Sequence, residues 1–439
     1  MRGSQRTWAE RRKRVSVNPR RKVTPNPAVH DSSLAIRPVP GHSQIALVAL
    51  VALAVATPPV GAQEPPAPAR DVVAPGSAVR AARAVAPGGR LDVGVTGLVF
   101  PAQIEVRDQG VWRPVARPLR RPGRTRALRM PDVSLTVRLR ARGADGRVTE
   151  PLRVRVRPLR LAAVGDVNLG DGPGAMIERF GPAYPWRSVS AVTAAADIAF
   201  ANLECAISTR GSPQAKQFVF RGSPRALRPM SGRAGFDVVN LANNHAGDYG
   251  DTALLDTLRH VRKAGMRPVG AGATEAEAYR PRYMRRLGLR VAFVGFSTIL
   301  PFEFRALGGN PGTAWAFPDR IRRAVSRARR RADVVIATFH WGIERETRES
   351  PAQRALADVA LDAGATAVIG AHPHVLQPVE RLPGGRLVAY SLGNFVFSAA
   401  SGGTSDTGIL QVDLGRLGVI GARLVPAGIR AGRPVLDGR

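Results

Sequence analysis

From about residue 158 to residue 430 the sequence predicts an α/β fold, a sheet covered on both faces. Three observations carry that reading. Nearly continuous apolar runs of strand length recur, as expected of strands without a wet face. Amphipathic stretches of helical period separate several of them. Most of the runs end in Asp, Glu, Asn or His, at the strand ends where such sheets gather their sites.

The runs are LAAVG (161–165), ADIAFA (196–201), FDVVNLA (236–242), RVAFVGF (290–296), DVVIATF (333–339), ATAVIGA (365–371) and RLVAYSLG (386–393). Helices are predicted over 250–264, 318–331 and 351–363. Gly265, just beyond the first, fits a helix C-cap, where a left-handed backbone suits glycine.

The front of the chain has a different character. At 439 residues the protein exceeds one ordinary core, so a second folded unit and a targeting stretch are expected. Residues 1–43 carry RRKR and RRK among Pro, Ser and Asn, a basic, disordered flank. Residues 44–62 contain IALVALVALAVA and then Val60-Gly61-Ala62. The apolar run has the length of a signal-peptide core and falls short of the ~20 residues that span a bilayer. Two readings stand: cleavage before Gln63, or an uncleaved anchor with its Arg-rich end in the cytoplasm. A Pro/Ala linker follows over 63–75. Residues 76–157 alternate apolar and polar positions in RLDVGVTG, QIEVRD, VSLTVRLRA and LRVRVRP, which predicts a small all-β, sandwich-like domain.

Composition narrows the function. With 44% hydrophobic residues and 46 glycines the chain is neither disordered nor fibrous overall. The net charge of +32 rests almost wholly on arginine, because Lys13, Lys22, Lys216 and Lys263 are the only lysines. No ordered aromatic–basic motif accompanies it, which argues against nucleic acid, while an acidic polymer would still feel the field. The single cysteine, Cys205, rules out an intrachain disulfide; beside Glu204 its thiol could ligate metal, but it reads first as a small buried side chain.

The chemistry sits at the run ends: VGDVN, ANLE, LANNH, TFHWG and IGAHPH. Asp166, Glu204, Asn244, His340, His372 and His374 make a mixed oxygen and nitrogen set suited to Zn²⁺, Mn²⁺ or Fe²⁺. Four of the seven histidines, His245 among them, lie in these endings; His30 and His42 belong to the leading flank, and His260 falls mid-helix.

The motifs GDVNLG, NLE, NLANNHAGDYG, HWGIE, GAHPHVLQPVE and YSLGNFVF occur in that order between residues 160 and 412. The set closely resembles the CapA-type capsule-synthesis family, related to calcineurin-like metallophosphoesterases. That resemblance implies a layered αββα sandwich holding two divalent ions, Mn, Zn or Fe. Asp166 would be a first-metal ligand, Glu204 would stand where the superfamily has a bridging Asp, and Asn244 would bind the second metal. His340, His372 and His374 would complete the shells. His245 would be the general acid. Asp248, three residues on, could orient its imidazole or equally cap the loop. Asn168, Asn243, Trp341, Glu344, Ser391 and Asn394 are candidates for the substrate pocket, with Gly393 beside them. Core packing competes as the duty of Trp341 and Phe395. Arg221, Arg345 and Arg348 could receive substrate carboxylates, against a plain solvated role. Two departures stand out: Asn168 occupies a place where the superfamily commonly has His, and Glu204 is longer than Asp. Both leave room for a mononuclear or non-catalytic centre.

The expectation is an exported, metal-dependent hydrolase-like protein in the synthesis, release or trimming of an anionic envelope polymer such as poly-γ-glutamate. An amide and a phosphoester are both attackable by metal-activated water. The alternative is a membrane-associated accessory or scaffold for polymer synthesis or export. The expected partners are the anionic polymer and a membrane-bound polymer synthase, with no nucleic acid. The expected location is secreted or extracytoplasmic, with membrane contact only through the N-terminal segment.

Overall fold

The computed structural model describes residues 71–398 and 403–437. The basic flank, the signal or anchor segment and most of the linker lie outside the described residues.

The nine-residue strand Leu159–Val167, buried at every position but Arg160, organises the first of two sheets. It pairs in parallel with Ile198–Leu203, which continues to Val238–Asn240 and Arg267–Val269. On its other side it pairs antiparallel with Asp406–Gly415, followed by Gly418–Arg430 and Arg433–Leu436. The short strand Asn394–Val396 joins its C-terminal end. The second sheet runs in the order Arg282–Arg286, Leu289–Ser297, Val334–His340, Ala367–Ala371, Arg386–Ala389 and Val379–Leu382.

Both sheets are apolar on both faces, but the cover differs between the faces. Leu161, Ala163 and Phe200 of the first sheet share a core with Phe293, Ile336 and Ile369 of the second. The Phe200 and Phe293 rings stack at 6.0 Å. Helix Gly250–Lys263 packs its Leu254, Leu258 and Val261 into the core on the other face of the first sheet. Helices Pro318–Arg329 and Pro351–Asp362 cover the second sheet with Ile321, Val325 and Ala360. The layers therefore run helix, sheet, sheet, helix. Continuous apolar strands look the same whether a helix or another sheet lies over them, so periodicity alone does not separate this arrangement from a single helix-covered sheet.

Local chemistry sets the helix ends. Pro351–Asp362 begins at a capping box in which Ser350 and Gln353 satisfy each other's backbone N–H. Helix Gly250–Lys263 is followed by Gly265 at φ +88, the left-handed position expected of it. No helix among the described residues is long and apolar enough to cross a membrane.

Upstream, Ala78–Arg80, Arg90–Thr96 and Thr125–Arg129 form a three-stranded sheet. Ala84–Val85, Leu152–Val156, Leu135–Arg142, Gln103–Asp108 and Val111–Pro114 form a five-stranded one. Val93, Ile104, Leu139 and Val154 belong to their common core. This β region is joined to the α/β part by backbone bonds: Ala86 N–H donates to the Leu287 carbonyl and Arg90 N–H to that of Gly288. At Gly288, φ is +76 and a Cβ would meet the Arg90 carbonyl at 2.3 Å, so only glycine allows this approach.

Candidate metal centre

Parallel pairing brings the C-terminal ends of the central strands to one level. In the first sheet Asn202 and Asn394 are the register partners of Asp166. In the second, His340 pairs with Ala371, the residue before His372. The sheets face each other, so side chains far apart in sequence meet at this edge.

Asp166, fully buried, is the hub. Its Oδ1 accepts from Asn202 Nδ2 at 2.7 Å, and its Oδ2 accepts from the His372 N–H at 3.1 Å. His374 Nδ1 lies 3.3 Å from Oδ2, and His340 Nδ1 lies 3.8 Å from Oδ1. His340 Nε2 lies 2.8 Å from Asn244 Oδ1 and 3.2 Å from Glu204 Oε1. Two groups of donor atoms result, Asp166–Glu204–His340 and Glu204–His372–His374, each with its atoms within 4.8 Å of one another. Glu204 belongs to both. All six residues expected as ligands are thus drawn into one cluster.

The donor set fits a divalent cation. Both Glu204 carboxylate oxygens and His372 Nδ1 are buried and complete no hydrogen bond, the 3.2 Å approach of His340 Nε2 to Oε1 included, a costly state for polar atoms that a cation would relieve. Burial, and then the neighbouring Asp166 charge, push the Glu204 carboxyl well above its usual range. Burial holds His340 well below its ordinary value, and it brings His372 down to about 3, in each case with a neighbouring histidine adding to the effect. Burial also acts to lower His374, but its bond to Asp166 and that carboxylate's charge prevail, so its value is raised. Neutral imidazoles present lone pairs to a metal, and Glu204 would surrender its proton on coordination. His372 and His374 sit at φ 101 and 61, a strained backbone for non-glycine residues and one that recurs at functional sites.

Beside the cluster, His245 Nδ1 lies 2.7 Å from Asp248 Oδ2. The same carboxylate accepts from the Phe220 N–H and from Lys216 Nζ, each at 2.6 Å. Lys216 also donates to the Asn244 carbonyl at 2.6 Å. The Phe220 ring stacks on the imidazole at 4.1 Å. Burial lowers the His245 value, opposed by Asp248.

The residues expected to line a pocket divide. Asn394 Oδ1 lies 2.9 Å from His374 Nδ1, inside the cluster. Glu344 is exposed, and its charge is among those that raise His374. Asn168 is buried, and its Oδ1 accepts from the Gly170 N–H at 2.8 Å. Asn243 and Ser391 spend their polar atoms on backbone: Asn243 on Leu203 and His245, Ser391 on Val375 and Gly393. Trp341 is 1% exposed, stacks on Phe339 at 4.2 Å and donates to the Tyr390 carbonyl. Its duty is packing, as is that of the fully buried Phe395. The Arg221 guanidinium lies over the Tyr249 ring at 3.5 Å, while Arg345 and Arg348 are exposed. Cys205 is buried, its thiol pushed up to about 12 chiefly by desolvation.

Sequence reasoning overlooked Asn202 and Lys216. Asn202 Nδ2 reaches Asp166 and, at 3.1 Å, His340 Nδ1, while its Oδ1 accepts from Asn240 Nδ2 at 2.9 Å. The available signal was an asparagine within a wholly buried strand, and a rare lysine in an arginine-dominated chain.

Residues 160–399, more than half of the chain, match the family model described as bacterial capsule synthesis protein PGA_cap. The chain belongs to that family. It is 32% identical over 283 residues to the capsule biosynthesis protein CapA of Bacillus anthracis, covering 63% of this chain and 69% of that one. It is 32% identical over 282 residues to the PGA biosynthesis protein CapA of Bacillus subtilis, covering 63% and 73%. A probable polyglutamine synthesis accessory protein of Mycobacterium tuberculosis is 30% identical over 234 residues, covering 48% and 59%. Among solved structures, a 5'-nucleotidase precursor from Thermus thermophilus superposes with a TM-score of 0.37 at 16% identity, over 63% of this chain and 54% of that one.

Proposed function

We propose that this capsule-family chain is an exported, metal-dependent hydrolase-like protein acting in the synthesis, release or trimming of an anionic envelope polymer such as poly-γ-glutamate. The names of its Bacillus relatives, for capsule and PGA biosynthesis, support the biological setting. The observation that carries the chemistry is Glu204, common to two groups of donor atoms and left without a hydrogen bond.

Asp166, Glu204, Asn244, His340, His372 and His374 would hold two divalent ions, Mn, Zn or Fe. When bound, such ions acidify water and offset the negative charge that develops on an attacked amide or phosphoester. The chain's own residues supply orientation and proton transfer. Asp248 accepts from Nδ1 of His245 and fixes the ring, so that a His245 carrying a second proton on Nε2 would pass that proton to a leaving group and return to the neutral imidazole. Lys216 holds Asp248 and the Asn244 carbonyl together, so acid and ligand loop keep one geometry. Arg345 and Arg348, exposed after His340, are candidates to receive substrate carboxylates.

The test is turnover by the purified chain with added Mn²⁺, Zn²⁺ or Fe²⁺, offered γ-glutamyl oligomers and a generic phosphodiester. Cleavage of the oligomer alone identifies an amidase, and cleavage of the diester alone a phosphoesterase. Bound metal with turnover of neither contradicts catalysis.

One observation favours a second reading, a membrane-associated accessory that holds nascent polymer without cutting it. Asn168, where the superfamily commonly has His, spends its oxygen on its own loop and supplies no imidazole. His245→Ala separates the two: capsule production survives the substitution in an accessory and fails in an enzyme.

A further inference from the structure

The outward face of the five-stranded sheet carries arginines with no acidic answer. Val137, Leu139, Ile104 and Val154 take its inner face. Strand alternation therefore turns Arg107, Arg138, Arg153 and Arg155 outward. Register sets Arg138 directly opposite Arg153, and like charges so placed destabilise a sheet. Glu105 and Asp71 pair with Arg140 and Arg142. Among the described residues the four outward arginines have no carboxylate partner. The imbalance is regional, with 18 Arg against 7 Asp and Glu over residues 71–157.

Neighbouring strands lie about 4.8 Å apart and alternate residues about 6.8 Å, so these side chains form a dense grid of planar forks on a rigid support. Guanidinium forks bind carboxylates through paired hydrogen bonds. Single-stranded nucleic acid would call for aromatic stacking positions between the charges, and the face offers only Trp112, opposite Arg107.

We propose that this sheet face binds a polymer carrying a carboxylate on each repeat, at a surface distinct from the metal centre. The proposal rests on the polymer class inferred for that centre. The strand Leu152–Val156 leads through Arg157 and Pro158 into Leu159–Val167, whose seventh step reaches Asp166, about 23 Å along the strand. A long chain held on the face can thus present a distant part of itself to the centre, whereas a di- or tripeptide cannot touch both.

The experiment measures binding of labelled high-molecular-weight poly-γ-glutamate to the full chain by anisotropy over a salt series. Wild type is compared with the triple variant Arg138→Gln, Arg153→Gln, Arg155→Gln. A control triple, Arg323→Gln, Arg327→Gln, Arg330→Gln, removes equal charge near the helix over the second sheet. The sheet variant is expected to bind at least about 10-fold more weakly, its log–log salt slope reduced by about 2, while the control stays near wild type. Replacing the same three sheet residues with Lys keeps the charge and is expected to recover only part of the affinity. Circular dichroism checks that each variant is folded. Unchanged binding in the sheet variant, equal loss in the control, or no polymer binding by wild type overturns the proposal. Single-stranded DNA or anionic vesicles bound as tightly through the same arginines overturn the partner class. Turnover of a γ-glutamyl tripeptide, measured in parallel, reports on the metal-centre reading by itself.

Discussion

Nδ1 of His245 stands 2.7 Å from Oδ2 of Asp248, three residues further along the same loop. A carboxylate can only accept, so Nδ1 carries a proton toward Asp248, and Nε2 is the atom left to carry the second, transferable one. Lys216 Nζ is 3.4 Å from the same Nδ1, but its bonds at 2.6 Å to Asp248 and the Asn244 carbonyl are much shorter, and they define its role. Asp248→Asn would free the ring to take the other tautomer. Turnover is expected to fall by roughly 10² or more with metal content unchanged, measured as kcat beside elemental analysis. Equal kcat would remove His245 from proton transfer.

Glu204 would make metal uptake a proton-releasing step. Its carboxyl is raised by burial and then by Asp166, so an ion competes with a proton for it. Affinity for Mn²⁺ or Zn²⁺ should keep rising with pH above the ordinary carboxylate range, and calorimetry in buffers of different ionisation enthalpy should register proton release. Glu204→Gln is expected to lose both the pH dependence and most of the affinity. A variant that binds metal as well as wild type would contradict the shared-ligand role.

The metal-free protein should lose stability in acid through His372. Its unfolded value lies near 6.5, and burial brings the folded value to about 3. Above pH 6.5 both states are neutral and the group contributes nothing. Between about 6.5 and 3 the unfolded chain takes up a proton that the native chain refuses, so stability falls as the pH drops. At pH 5 that loss is about 2 kcal/mol for this one group. Denaturant melts of wild type and His372→Asn in a chelator, at pH 7.5 and pH 5, test the difference. Parallel losses in the two proteins would refute it.

Asn202 is predicted to matter as much as a ligand. It bonds Asp166, His340 and Asn240 from a wholly buried strand. Asn202→Ala leaves those atoms unsatisfied, for roughly 1–3 kcal/mol of stability. Metal affinity should fall about 10- to 100-fold, as is typical when a residue supporting ligands is removed. Thermal melts and metal titration of the variant check both effects, and a neutral substitution would show that Asp166 and His340 hold their places unaided.

Much of this was legible in sequence because the α/β core writes polarity sparsely. Val334–His340 follows the apolar run at 333–339 to within one residue, and Pro351–Asp362 the helix expected at 351–363. The residues expected as ligands stood out because each follows or closes such a run. Asn202 did not, since its role depends on a register with Asp166 and on Asn240 of another strand. Trp341 follows the conspicuous His340, yet its indole turns toward Phe339 and the Tyr390 carbonyl, which only the packed core decides. The C-terminal strands were missed as well. Gly418–Arg430 is long but alternates burial only loosely, so no period-two signal announces it.

Elemental analysis of the purified chain, beside His372→Ala, tests the central claim most directly. The account predicts about two divalent ions per wild-type chain, matching the two donor groups that share Glu204, and a clear loss in the variant. Wild-type protein that retains no divalent metal after incubation with Mn²⁺, Zn²⁺ or Fe²⁺, or a variant that holds as much as wild type, would contradict it.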